Sequence, residues 1–190
     1  IWEIQQQHIV QARALALRAL DEAIAAMVAG LTAAQRRLLN CWFPGATAAT
    51  EMAILRILRD ARPVLATPRI VYVPAPRSGP DRAWDVEAVG LRPPQPAATI
   101  VRPPPTSDVP SPPDRPRNEW YIALYPRWFD RPAYRATVIL HEAFHMLDPH
   151  SFEGHTGFHN AFAFQGFVSE LNGLPFDRSF VMTMVPSPCW

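Results

Sequence analysis

Proline constrains this chain more than any other feature. Thirteen of its 22 prolines fall between Pro74 and Pro116. Each fixes φ and removes a backbone donor, which breaks helices and confines strands to sheet edges. That stretch therefore cannot be a helix and can hardly hold a central strand. We expect an extended loop with at most two short strands, near residues 84–89 and 98–101, either packed on the domain as an insertion or moving free of it. It is not a linker between domains, because the segment C-terminal to it is too short to fold alone. The helices before it must share their core with the residues after it, so residues 1–190 are expected to form a single domain.

Upstream the pattern is helical. Residues 2–29 read as one long helix, with Ile9, Ala12, Leu15 (or Ala16), Leu20, Ile24 and Met27 recurring at helical spacing in an alanine-rich background. Gly30 stops it. Thr32 predicts an N-cap with Gln35 as its capping-box partner. The next, short helix runs through Leu38 and Leu39 and ends at the breaker Cys41-Trp42-Phe43-Pro44-Gly45. Thr47 predicts the cap of a third helix to about Arg62, with Ile54, Leu55, Ile57 and Leu58 as its apolar face and Pro63 closing it. Ile70-Val71-Tyr72-Val73 and residues 119–125 read as strands. Pro132 suits the first position of a helix running to about Leu147, which Asp148-Pro149 ends. A loop through Gly154 and Gly157 leads to a last helix over residues 160–171, stopped at Asn172-Gly173.

A length of 190 residues and 48% hydrophobic content suit one globular domain with a proper core. The formal net charge of +1 gives no pull towards nucleic acid or an anionic membrane. No apolar run reaches the length of a bilayer span. All 18 basic residues are Arg, a bias that fits a GC-rich genome better than a function. The chain opens on Ile rather than Met, so we expect a processed or trimmed N-terminus, and a signal peptide would not be visible. Two cysteines, Cys41 and Cys189, are too few for a Cys-based zinc site. They are either one disulfide tying the C-terminal tail to the N-terminal region or two buried thiols.

The chemistry is carried by His141-Glu142-Ala143-Phe144-His145, an HExxH pattern. Residues i and i+4 share one helix face, one turn apart. Two imidazoles so placed can converge on one Zn²⁺ at about 2.0–2.1 Å. Glu142, next to the first ligand, can take the proton of a water that zinc has acidified. The flanking Val138-Ile139-Leu140 and Met146-Leu147 are apolar, as a helix on the floor of a cleft needs. The strand just upstream suits the edge strand that commonly lies beside such a helix and pairs with substrate backbone. The bland alternative is two incidental histidines on a core helix, which would bury two imidazoles and a carboxylate at a cost.

A catalytic zinc needs a third protein ligand and an open position. Asp148, His150, Glu153, His155, His159 and Glu170 are the candidates. Asp148 would sit about 10 Å along the axis from His141, too far for the same ion and better placed to orient His145. His150 falls one residue short of the third histidine of HExxHxxGxxH, and Asp148 stands where that pattern has Gly. Glu170, 25 residues past His145, has the thermolysin-like layout, but a solvated surface charge is the favoured reading. His155, between Gly154 and Thr156, is the first choice, since the glycines let the loop turn back under the helix. His150, His159 and Glu170 stay open.

Several segments resemble, in order, the deuterolysin-like (aspzincin) metallopeptidases, which include peptidyl-Lys endopeptidases. They are the Ala-rich first helix, Trp42-Phe43 at a helix break, the aromatic turn from Tyr121 to Phe129, the Ile139-Leu140-His141-Glu142 helix, and Asn160-Ala161-Phe162-Ala163-Phe164-Gln165-Gly166-Phe167-Val168. The last is similar to the family's NAxxYxxFA helix with Phe164 in place of Tyr. The resemblance covers most of the chain outside the proline-rich stretch. The family's GTxDxxYG loop carries an Asp ligand and a Tyr that helps at the oxyanion. This chain has Gly154-His155-Thr156-Gly157-Phe158-His159 in about that place. The resemblance implies that His155 replaces the Asp ligand and that the Tyr role is vacant or passes to His159. Lys specificity does not carry over.

The expectation is an α+β, zincin-like fold: a helical N-terminal half, a small sheet, and an active-site helix facing a final helix. The expected reaction is hydrolysis of a peptide bond in a protein or peptide substrate, with His141, His145 and His155 on zinc and Glu142 and His159 in catalytic roles. The rivals are an inactive zinc-binding interaction module and a zinc hydrolase acting on a small amide or ester. An exported enzyme and a delivered toxin both fit, an extracellular setting being favoured; the oligomeric state is left open.

Overall fold

The computed structural model describes residues 2–66, 69–72, 88–91, 121–124, 126–147 and 158–190. The first helix, α1 (Trp2–Ala29), lays a stripe of small side chains on the rest of the molecule. Ile9, Ala12, Ala16, Ala19, Leu20 and Ala23 are buried along it, and α3, α5 and α6 all pack against α1. Small residues at these positions let the backbones approach closely. Of the two alternatives in the sequence, Ala16 takes the inward position, while Leu15 is 39% exposed.

Helix α2 (Ala33–Trp42) opens on the full capping box: the Thr32 hydroxyl accepts from Gln35 N, and Gln35 Oε1 accepts from Thr32 N. Helix α3 (Ala48–Ala66) starts where expected, with Thr47 Oγ1 accepting from Thr50 N. It does not stop at Pro63. The helix runs one turn further because that turn buries Val64 and Leu65, which offsets the one hydrogen bond Pro63 cannot make. Arg13 Nε donates to Leu65 O at 3.0 Å, satisfying one carbonyl that the helix end leaves open.

Three strands come next: β1 (Arg69–Tyr72), β2 (Ala88–Leu91) and β3 (Tyr121–Leu124). β3 pairs in parallel with β1 and antiparallel with β2. The chain continues through α4 (Pro126–Asp130), a 3-10 turn (Pro132–Tyr134), α5 (Arg135–His145), α6 (Ala161–Asn172) and α7 (Arg178–Thr183). Pro132 opens the 3-10 turn rather than the helix itself. α6 matches its expected span, capped by Asn160 and closed by Gly173 at φ 66°.

The expected α+β, zincin-like class with a small sheet does not hold. Helices account for 76% of the residues described together with their side chains. Extended structure among the described residues amounts to three pieces of four residues each, too short to form a layer of the architecture. Among the residues whose burial is described, the apolar cluster is built mainly from α1, α2, α3, α5 and α6, with Trp128 of α4, Val181 of α7, and Ile122 and Leu124 of β3. Helix-on-helix packing covers the apolar faces, so no sheet is needed for that. The strand upstream of the motif is also not an edge: β3 lies between β1 and β2. β2 is the outer strand beside α5. Residues 98–101, expected as a strand, lie outside the described residues, as do 84–87 and the rest of the proline-rich stretch apart from β2. So does Asp148-Pro149.

The breaker at the end of α2 is a packing knot. Cys41 is disulfide-bonded to Cys189, which decides between the two readings of the cysteines. Trp42 is buried, with Trp190 at 4.8 Å and Phe176 at 6.0 Å between ring centroids. Phe43 packs on Phe164 at 4.8 Å and Phe167 at 6.1 Å. Gly166 on α6 lies beneath the indole: a Cβ there would stand 2.3–2.5 Å from three ring atoms of Trp42. Gly166→Ala is therefore expected to destabilise the fold by about 3 kcal/mol, overpacking outweighing the helix-propensity gain of about 1 kcal/mol. A urea midpoint unchanged from the parent would show that Trp42 does not cover Gly166.

Candidate metal centre

Helix α5 is buried along almost its whole length. Ala136, Thr137 and every residue from Ile139 to Phe144 are buried, including His141 at 7% and Glu142 at 9% exposure. Ile139, Leu140, Ala143 and Phe144 anchor it in the core. Its start is fixed by Thr137, whose hydroxyl donates to Tyr134 O at 2.9 Å with Pro175 O at 3.3 Å. Arg135 adds contacts to the Trp128 and Phe129 carbonyls; burial holds its guanidinium pKa below the usual value, against the pull of Asp130.

On this fixed helix the two motif histidines converge. His145 Nε2 and His141 Nε2 are 3.0 Å apart, and the rings meet at 73° with centroids 4.7 Å apart. Two nitrogens on a tetrahedral zinc at 2.0–2.1 Å stand about 3.3 Å from each other. The pair is thus within a few tenths of an ångström of the spacing that shared ligation requires. The donor chemistry also fits, since neutral imidazole nitrogen is a usual zinc ligand. Glu142 lies next to His141 on the same buried helix.

The wall opposite His141 is the first turn of α6. The ring of Phe162 lies 4.3 Å from the His141 imidazole, at 43°. Asn160 pins this turn twice: its Oδ1 accepts from Phe162 N at 3.0 Å, and its Nδ2 donates to Met184 O at 2.7 Å. In the sequence Phe162 is only one of several aromatic positions in a motif helix. Its contact with a ligand candidate comes from how α5 and α6 cross, which no local spacing encodes.

The candidates for a third ligand divide. His155, with Asp148, His150 and Glu153, lies outside the described residues. His159 directly precedes the cap of α6, half-buried, with its ring 5.5 Å from that of Phe158. Glu170 is neither a solvated charge nor a partner of this centre. Its carboxylate accepts from Trp42 Nε1 at 3.0 Å and pairs with Arg178. It also lies eight residues along α6 from Phe162, about 12 Å at 1.5 Å per residue. Among the described residues, no group of three or more His, Cys, Asp or Glu is assembled to hold a metal. Among the described residues, too, no helix is long and apolar enough to cross a membrane.

No family model, curated protein or solved structure matches this chain.

Proposed function

We propose that this chain is a zinc-dependent metallopeptidase, a divergent relative of the deuterolysin-like enzymes. One observation carries the reading: the imidazoles of His141 and His145 bring their Nε2 atoms within 3.0 Å of each other, with Glu142 next in sequence to His141 on the same buried helix. His141 and His145 would hold the ion through Nε2, with His155 as the proposed third ligand. Zinc held there supplies Lewis acidity, polarising a carbonyl and lowering the pKa of a water towards neutrality. Glu142 accepts the proton of the attacking water at its carboxylate and delivers it to the departing amine. His159, at the entrance to α6, is the proposed donor to the developing oxyanion, a role other peptidases give to Tyr. The closed packing of Ile139, Leu140 and Phe144 behind the histidines keeps their geometry fixed. The substrate class is a protein or peptide.

Metal content tests the ligand set directly. Mass spectrometry of the purified chain is expected to find one zinc. His141→Ala and His145→Ala should each weaken zinc binding by more than about 100-fold, because even the outer partners of a zinc ligand are worth about 10–100-fold. Full zinc occupancy in both variants would remove the centre from α5. Zinc bound with no cleavage of an unfolded protein mixture would favour a binding module instead.

A further inference from the structure

An aromatic strip leads from His141 to the surface. Phe162 lies against the His141 imidazole. Phe180 of α7 meets Phe162 nearly edge-on, at 5.6 Å and 84°. Phe180 is 54% exposed, a large ring half in water two side chains from a buried His-Glu pair. The element that carries it is anchored. Asp177 caps α7, its Oδ1 accepting from Phe180 N at 3.2 Å. Trp190 Nε1 donates to Met182 O at 3.2 Å. The charges nearby are answered: Asp177 faces Arg131 at 3.3 Å, and Glu170 pairs with Arg178. Around Phe180 the surface is therefore aromatic, and the carboxylates of Asp177 and Glu170 are already paired with arginine. It suits a bulky apolar side chain better than a cationic one.

We propose that Phe162 and Phe180 form the side-chain subsite of the centre and select a substrate with Phe, Leu or a similar large apolar residue next to the scissile bond. The inference rests on the metallopeptidase reading. Phe180 is the specificity-determining residue, since its exposed face is the one a substrate can cover. Phe162 backs it and also holds the His141 ring.

The test uses alanine-based hexapeptides with a central Phe, Leu, Lys or Glu. Their binding to the zinc-loaded Glu142→Gln protein is measured by calorimetry, and their kcat/KM with the parent enzyme. The Phe and Leu peptides are expected to bind and react on the order of 10-fold better than the Lys and Glu peptides, the scale of one partly buried large apolar side chain. Phe180→Ala should erase that preference in both measurements, and Phe180→Leu should restore most of it, while thermal melts show both variants folded. If zinc binds and peptides are cut, but Phe180→Ala leaves the preference unchanged, the subsite is wrong and the peptidase reading stands. If no peptide binds or is cut, both fall.

Discussion

Glu142→Gln is expected to lower kcat by about 10³-fold or more while zinc content stays at one per chain. General-base catalysis is typically worth 10²–10⁴-fold, and the substitution keeps the shape of the side chain while removing its ability to take a proton. The fold should not suffer. Glu142 is 9% exposed, and exchanging a buried carboxylate for an amide removes part of a desolvation cost. A thermal melt should show the variant folded. The pair of readouts separates roles. Lost activity with retained zinc and retained stability assigns Glu142 to the proton transfer. Lost zinc would make it a ligand or a ligand's support. Undiminished cleavage would sink the mechanism, because no other carboxylate among the described residues adjoins the two histidines on α5.

What could be read from the sequence divides by the range of the interactions involved. Helix ends are local: Thr32 with Gln35 and the stop at Gly173 each act within a few residues, and both were legible. The inward stripe of α1 was legible in period but not in size. Leu15 and Ala16 both fit the period, and only contact with α3, α5 and α6 selects the smaller one. Pro63 misled for the same reason. A proline ends a helix unless the next turn has something to bury, and Val64 with Leu65 does. The α+β expectation gave architectural weight to the runs at residues 70–73 and 119–125, which do form β1 and β3, and to the zincin resemblance. Among the described residues, the apolar faces of the helices largely cover one another.

The candidate site shows the same division. The convergence of His141 and His145 stems from helix geometry, so the i, i+4 spacing was enough. Glu170 could not be judged that way, because its partners are 128 residues upstream at Trp42 and eight residues downstream at Arg178. Gly166 in the middle of α6 was the available signal. A glycine inside a helix costs about 1 kcal/mol relative to alanine and so marks close approach of another group. That group is the indole of Trp42, which places α2 on the face of α6 that Glu170 also uses.

Replacing Cys41 and Cys189 by Ser together is expected to lower the melting temperature by about 10 °C without dissolving the fold. The bridge joins residues 148 positions apart. A loop of that length gives about 5 kcal/mol in the chain-entropy account, against about 2–4 kcal/mol commonly measured. At about 2–4 °C per kcal/mol for a chain of this size, the fall is of order 10 °C. The folded state has reasons to keep its shape without the bridge. Trp190 still packs on Trp42, and its Nε1 still donates to Met182 O and Val185 O at 3.2 Å. Far-ultraviolet circular dichroism at 20 °C should therefore match the parent, and zinc content should be unchanged, because the tail does not supply the histidines of α5. The parent melted in the presence of a reducing dithiol should reproduce the variant's midpoint, which isolates the bond from any effect of the serines. An unchanged midpoint in both experiments would mean that the tail is held by its aromatic contacts alone. A collapse of helical signal at 20 °C would mean the opposite: that Trp42, Phe43 and the α6 face they cover depend on the covalent tie to stay assembled.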